Sequence, residues 1–232
     1  MEFYVFDHIA VILFGIVFPV MAVSSGDVDD TILEQLPPKK HLFYTNALTL
    51  VIGALIVITS WNFAHRPWED MGFRPPQIST SVLILIVTIL LIYGIDIFYG
   101  LMNSESQKQK IKQLSYMIPL NWNEFKPFVL MSAAAGICEE IIYRGFLVTY
   151  MYNIIPFSEY SGYLGAAIPA VSFAISHMNQ GFWSVIKIFL IGVLLGLIYL
   201  ESGSLWIVIC LHVAIDIISG MVTVISNNTW ED

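Results

Sequence analysis

Apolar residues run along this chain in blocks too long for the interior of an ordinary soluble domain. Crossing the hydrocarbon core of a bilayer takes about 20 apolar residues in a helix. Seven stretches approach that length, at about 5–24, 42–63, 80–102, 126–151, 160–178, 183–200 and 205–226. The third is the plainest, with no charge from Val82 to Tyr93. Each is predicted to be a helix, because a backbone in lipid must satisfy its own hydrogen bonds. A secretory signal would carry a basic leading segment. The opening MEFYVFD has no Lys or Arg, so the first stretch is read as a retained span despite Pro19.

Polar segments separate these blocks. Ser25–Lys40 carries Asp27, Asp29, Asp30 and Glu34, and His65–Ser79 carries Arg66, Arg74 and three prolines. Asn103–Glu124, with Lys108, Lys110 and Lys112, reads as the longest loop. Later connections are short, which makes the last four helices sequential neighbours in a compact bundle. The expected fold is all-α: a polytopic transmembrane bundle of about seven spans, one integral membrane domain over 1–232. Seven spans would put Lys39, Lys40, Lys108, Lys110, Lys112, Lys126 and Lys187 on one side, with Arg66 and Arg74 on the other. The basic side is expected to be cytoplasmic. That places the chain in the cell membrane with its C-terminus inside.

Composition fits this solvent. The chain is 57% hydrophobic and 12% charged, about half the roughly 25% of charge that soluble domains carry. Disorder, a coiled-coil rod and a soluble domain are excluded. With a net charge of −8 and no basic run, nucleic acid is not an expected partner, whereas the lipid bilayer is. Cys138 and Cys210 show neither disulfide-framework nor metal-type spacing.

Ionisable groups inside the apolar blocks carry the chemistry. A charge at the bilayer centre costs about 2.5–3.5 kcal/mol even on insertion scales, so such groups usually mark function. They are Glu139, Glu140 and Arg144 in the fourth block, His177 at the end of the fifth, and His212 and Asp216 in the seventh. Residues four apart share a helix face. Glu140 can therefore neutralise Arg144, and Asp216 can orient His212. Glu139 points about 100° away from Glu140 and stacks over Tyr143, whose hydroxyl is its expected partner. Phe173 lies one turn from His177.

Other polar and small residues have plainer readings. Lys187 lies near a block end and is expected to snorkel. Asp96 is assigned a wet position or an interior hydrogen bond, and Asp7 and His8 the interface. Gly192 and Gly196, and the run from Ser132 to Gly136, are expected to be close-packing helix faces. Trp61, Trp68, Trp183, Trp206 and Trp230 fall near block ends, where interfacial aromatics belong.

Glu139-Glu140-Ile-Ile-Tyr-Arg144 is an EExxxR motif, Phe173-Ala-Ile-Ser-His177 an FxxxH motif, and His212-Val-Ala-Ile-Asp216 an HxxxN/D motif. In that order, on three apolar helices, they resemble the CPBP family of CaaX-processing and bacteriocin-processing (Abi-type) intramembrane proteases. The run from Gly192 to Trp206 is similar to that family as well. The resemblance covers about Lys126 to Ser226 and implies a four-helix catalytic core at 126–226, with 1–125 supplying N-terminal spans and loops.

The resemblance implies that Glu139 and His177 hold and deprotonate a water, and that His212 and Asp216 stabilise the oxyanion. Glu140, Arg144, Tyr143 and Phe173 are the supporting residues it implies, with no cofactor. The characterised CaaX proteases of the family carry Asn where this chain has Asp216. An ionised Asp cannot donate to an oxyanion, so Asp216 is expected to act by keeping His212 protonated and oriented. The implied substrate is a membrane-associated, prenylated (CaaX-type) or hydrophobic peptide.

Three other functions use the same residues. Glu139, Glu140, His177 and His212 are zinc-type ligands, although an HExxH motif is absent. A proton- or ion-coupled transporter would use buried Glu and His, but its inverted repeats are not visible. Some members of the resembled family are linked to bacteriocin immunity, which makes a non-catalytic immunity or scaffolding role the last alternative.

Overall fold

The computed structural model describes residues 1–24, 35–156 and 158–231. Asp27, Asp29, Asp30 and Glu34, read above as a solvated acidic segment, fall outside the described residues, as does the side chain of Trp230. Described residues form helices and no strands. The order is α1 (Val5–Ser24), α2 (Lys39–Phe63), α3 (Thr80–Met102), α4 (Ser104–Gln113) and α5 (Trp122–Glu140). Helix α5 runs through a π-helical segment (Ile141–Val148) into α6 (Thr149–Ile154). Next come α7 (Ser161–Ile175), α8 (Phe182–Ser202) and α9 (Leu205–Glu231).

Five helices, α1, α2, α3, α8 and most of α9, are long and apolar enough to cross a membrane. The expected count of seven spans is not confirmed. Helix α5 carries Glu124, Lys126, Glu139 and Glu140, and α7 is a shorter apolar helix. The outward faces suit lipid: Leu83, Ile84, Leu90, Leu91 and Ile95 of α3 are all exposed. Apolar surface on that scale is what a membrane, not water, covers.

Local chemistry sets the helix ends. Asn121 caps α5 by accepting from the N–H groups of Asn123 and Glu124, each at 3.1 Å. Ser79 caps α3 by accepting from the Val82 N–H at 3.2 Å. Gly203, at φ 65°, ends α8 in a conformation that side chains disfavour. Helix α9 begins two residues later, so the α8–α9 turn is tight and fixes the depth of His212.

Helix α7 packs most extensively on α8, and α5 packs on both α2 and α9. One continuous apolar core joins Phe14, Val57, Trp61 and Val82 of the N-terminal half to Phe146, Leu195, Ile198 and Val208. The small residues lie where these helices cross. A Cβ on Gly196 would sit 2.9 Å from the Ala166 Cβ, and one on Gly192 would sit 3.2 Å from the Ala170 Cβ. The GxxxG face is therefore an α8–α7 contact inside the bundle. A Cβ on Gly136 would lie 2.9 Å from the backbone nitrogen of Val213 on α9. That backbone sits beside His212, and Gly136→Ala must push it away. Overpacking of this kind costs about 1–3 kcal/mol. The variant should unfold at a lower temperature in detergent, and an unchanged unfolding temperature would contradict the close approach.

Several sequence readings are corrected. Asp7 does not face solvent. It is buried and ion-paired to Arg66 at 2.5 Å, with Ser60 donating to it at 3.0 Å. His8 is exposed, and its Nδ1 meets the Tyr150 hydroxyl at 2.6 Å. Trp61 is fully buried, its indole N–H donating to the Pro67 carbonyl at 3.0 Å, whereas Trp68, Trp183 and Trp206 are exposed as expected. The readings of Asp96 and Lys187 are not among the corrections: the two pair at 2.5 Å, with 41% of the Asp96 side chain exposed. The stretch read as the longest loop contains α4, capped by Asn103 and anchored through buried Ile111 and Leu114.

Candidate active site

The EExxxR motif straddles a change of helix type. Glu139 and Glu140 end α5, while Tyr143 and Arg144 lie in the π-helical segment, every residue of which is buried. π-Helical turns insert a residue into the helical register and recur at functional sites. Here the insertion follows directly after the paired glutamates.

Glu140 is fully buried and its Oε1 accepts two charge-assisted bonds. Arg144 Nη1 donates at 2.6 Å and His212 Nδ1 lies at 2.7 Å. A carboxylate oxygen only accepts, so His212 carries its proton on Nδ1. The other guanidinium nitrogen of Arg144 donates to the Gly192 carbonyl on α8 at 3.2 Å, and the guanidinium carbon stands 5.2 Å from the Phe173 ring on α7. One ion pair thereby ties α5 and its π-helical extension to α7, α8 and α9.

The remaining nitrogen of His212 faces two more carboxylates. Nε2 lies 3.7 Å from Glu139 Oε2 and 3.8 Å from Asp216 Oδ2. Both distances exceed a hydrogen bond. The ring is thus oriented by Glu140 and not, as the i,i+4 spacing suggested, by Asp216, which acts on Nε2 through charge. Glu139 makes no hydrogen bond among the described residues. Its side chain is 15% exposed, against 0% for Glu140. The adjacent glutamates therefore differ: one is locked, the other is partly open and unengaged.

His177 follows the end of α7, with Nδ1 2.7 Å from the Phe173 carbonyl of the preceding turn. A carbonyl only accepts, so Nδ1 is the donor and Nε2 of the neutral ring carries a lone pair. The Phe173 ring stands between the imidazoles, with centroids 4.6 Å from His177 and 6.1 Å from His212. Among the described residues no hydrogen bond joins His177 to Glu139; the Phe173 wall is shared by His177 and His212. Tyr143 does not partner Glu139 as the stacking suggested. Its ring packs edge-on to Phe173 at 4.8 Å, and its hydroxyl is directed to Ser172 on α7 and to Ser176 just after that helix.

The structure thus collects Glu139, Glu140, Arg144, His212 and Asp216 in one cluster, with Phe173, Tyr143 and His177 against it. Sequence reasoning missed Glu140 as the holder of His212, since only tertiary packing brings residues 72 apart together. It also missed Tyr93 of α3, whose hydroxyl donates to the Ile215 carbonyl at 2.9 Å and meets the Ser219 hydroxyl one turn beyond Asp216. Among the described residues, no three His, Cys, Asp or Glu side chains are grouped to hold a metal ion. Glu140, one of the zinc-type residues named above, is engaged by Arg144 and His212.

No curated protein and no solved structure matches the chain. Residues 121–218, the stretch that holds every member of this cluster, match the family model described as Rce1-like, type II CAAX prenyl endopeptidase Rce1-like, which is consistent with a CPBP-family protease and supports an intramembrane endopeptidase at the level of the family.

Proposed function

We propose that the chain is a glutamic-type endopeptidase that hydrolyses a peptide bond of a membrane-associated, hydrophobic or prenylated (CaaX-type) substrate within the bilayer, with its C-terminus on the cytoplasmic side. The observation that carries this reading is the division of labour between the paired glutamates. Glu140 is spent on Arg144 and His212, while Glu139 has no hydrogen-bond partner among the described residues and lies beside the free nitrogen of His212.

Glu139 takes a proton from a water that also bonds the lone pair of His177 Nε2. The hydroxide attacks the peptide carbonyl carbon, and the carbonyl π electrons move onto oxygen. His212, fixed by Glu140 and protonated at Nε2, donates to that oxyanion, a contribution often worth about 10²–10³ in rate. The intermediate collapses, the C–N bond breaks, and Glu139 returns its proton to the leaving amine. Glu140 and Arg144 are positioning residues, because they act through His212.

Asp216 stands where the resembled proteases carry Asn. Its place near Nε2 suits either a negative charge that favours an imidazolium or an amide that donates. Asp216→Asn is therefore expected to keep cleavage within about threefold, while Asp216→Ala falls by about 10²-fold. Cleavage of a fluorogenic prenylated peptide by the purified chain, followed by a hydrophobic peptide library, tests both the function and this role. Equal losses in the two variants would remove Asp216 from the oxyanion machinery, and no cleavage of any peptide by the unmutated chain would overturn the endopeptidase reading.

A further inference from the structure

Helix α1 lies outside the matched residues 121–218 and carries none of the three motifs, yet its backbone reaches the site. Its middle turn, Leu13–Val17, is π-helical. The Phe18 N–H reaches back to the Leu13 carbonyl and so passes over Phe14. Pro19 comes next and has no N–H to offer. The donors four and five residues ahead of the Phe14 carbonyl are thereby both lost. A carbonyl freed within a membrane span must find a partner on another element. It finds the hydroxyl of buried Ser172 on α7, which donates at 3.2 Å.

Ser172 directly precedes Phe173 of the FxxxH motif. Its one proton goes to Phe14, so towards Tyr143 it can only accept. Ser176 spends its own proton on the Ser172 carbonyl at 3.1 Å. The Tyr143 hydroxyl, directed to these two serines, is therefore the donor. A chain of bonds results: Tyr143 of the π-helical extension donates to the serine pair, and Ser172 donates to α1. Side chains close the same gap. Phe14 is buried, and a Cβ on Gly53 of α2 would meet its ring at 3.2 Å and Ile142 of the π-helical extension at 3.3 Å. The π-helical turn of α1 and the one after Glu140 thus meet across Gly53. Phe173 stands between this contact and the imidazoles. Its carbonyl accepts from His177 Nδ1 at 2.7 Å, and its ring packs on Tyr143.

We infer that α1 is a positioning element of the site: through Ser172, the Phe14 carbonyl that Pro19 leaves free fixes the turn presenting Phe173 and His177 to the cluster. Pro19 and Ser172 are the positioning residues, and they act through His177. The inference rests on the endopeptidase reading and deepens it, because it makes the first helix part of the machinery.

The test uses the full chain in detergent, as Pro19→Ala, as Ser172→Ala and as both together. Pro19→Ala returns an N–H to α1 and draws the Phe14 carbonyl back into its own helix. Its unfolding temperature should be unchanged or raised, because proline inside a helix is unfavourable. Its kcat for peptide cleavage should nevertheless fall about tenfold with KM unchanged, since a displaced catalytic group is felt in the chemical step. Ser172→Ala should lose the same factor in kcat. The double variant should lose no more than either single one, because all three break one bond. The ring nitrogens of His177, read by NMR on chain labelled with ¹⁵N-histidine and assigned through His177→Gln, should shift in all three variants. Losses in kcat that multiply in the double variant, or a loss in kcat with the His177 signals unmoved, would overturn the inference. So would a Pro19→Ala variant whose kcat stays within about twofold of the parent. If the unmutated chain cleaves no peptide but the His177 signals move in all three variants, the endopeptidase reading fails while the positioning stands. If the signals stay as well, both fall.

Discussion

Glu139→Gln is expected to lower kcat/KM for peptide cleavage by about 10³-fold, within the 10²–10⁴ range of a lost general base. Its unfolding temperature in detergent should be unchanged or slightly raised. The substitution keeps the shape and removes only the charge and the basicity. The carboxylate has no hydrogen bond among the described residues to forfeit, and its closest charged neighbour, His212 Nε2, is 3.7 Å away. Removing it also relieves crowding, because Glu139 and Asp216 both approach the same nitrogen. The loss should appear in kcat and not in KM, since a proton-transfer group acts in the transition state. A variant that keeps more than a tenth of the parental rate would sink the assignment of Glu139 as base. The Cα positions of the two glutamates are adjacent, so the comparison with Glu140 is informative. Glu140→Gln should lose both activity and stability, because that side chain is buried between Arg144 and His212.

The sequence made the helices and the cast of the site legible, since both depend on local pattern. The apolar blocks at 42–63, 80–102 and 183–200 fall on α2, α3 and α8 because a helix in lipid announces itself by length alone. The three motifs fall on α5 and its π-helical extension, on α7 and on α9, at the places where buried charge had to mean something. What stayed hidden was pairing across helices. Asp7 looked interfacial because it sits near the end of an apolar block, and Arg66 looked like part of a polar connection. Their burial follows from meeting one another 59 residues apart. Asp96 and Lys187 were each read without the other, because their ion pair joins residues 91 apart. Helix α4 was hidden by composition, being polar almost throughout, with Ile111 and, just after its end, Leu114 buried. The π-helical register after Glu140 leaves no trace in spacing, because Glu140 and Arg144 still meet. The orientation of His212 followed the wrong carboxylate: i,i+4 spacing favoured Asp216, while the helix crossing at Gly136 delivered Glu140.

That crossing makes Arg144 the residue whose loss should most damage the fold. Arg144→Met leaves Glu140 buried and ionised with only His212 to meet it, and breaking a buried pair on one side costs about 3–5 kcal/mol. The guanidinium also bonds the Gly192 carbonyl and covers the Phe173 ring, so α8 and α7 lose their tie to the motif helix. Arg144→Lys should recover only part of the loss, since one ammonium cannot reproduce a planar fork reaching two acceptors. The decisive comparison is the double variant Glu140→Gln/Arg144→Met, measured by chemical unfolding in a fixed detergent beside both single variants. The double variant should be no less stable than Arg144→Met alone, because the stranded charge is gone. Catalysis should stay low in all three, as His212 has lost the ionised partner that orients it. If the two single losses simply add in the double variant, the residues act independently and the ion pair does not organise the site. If stability returns in the double variant while activity does not, the pair has two separable effects: Arg144 makes a buried Glu140 tolerable, and the ionised Glu140 aims His212 at the reacting oxygen.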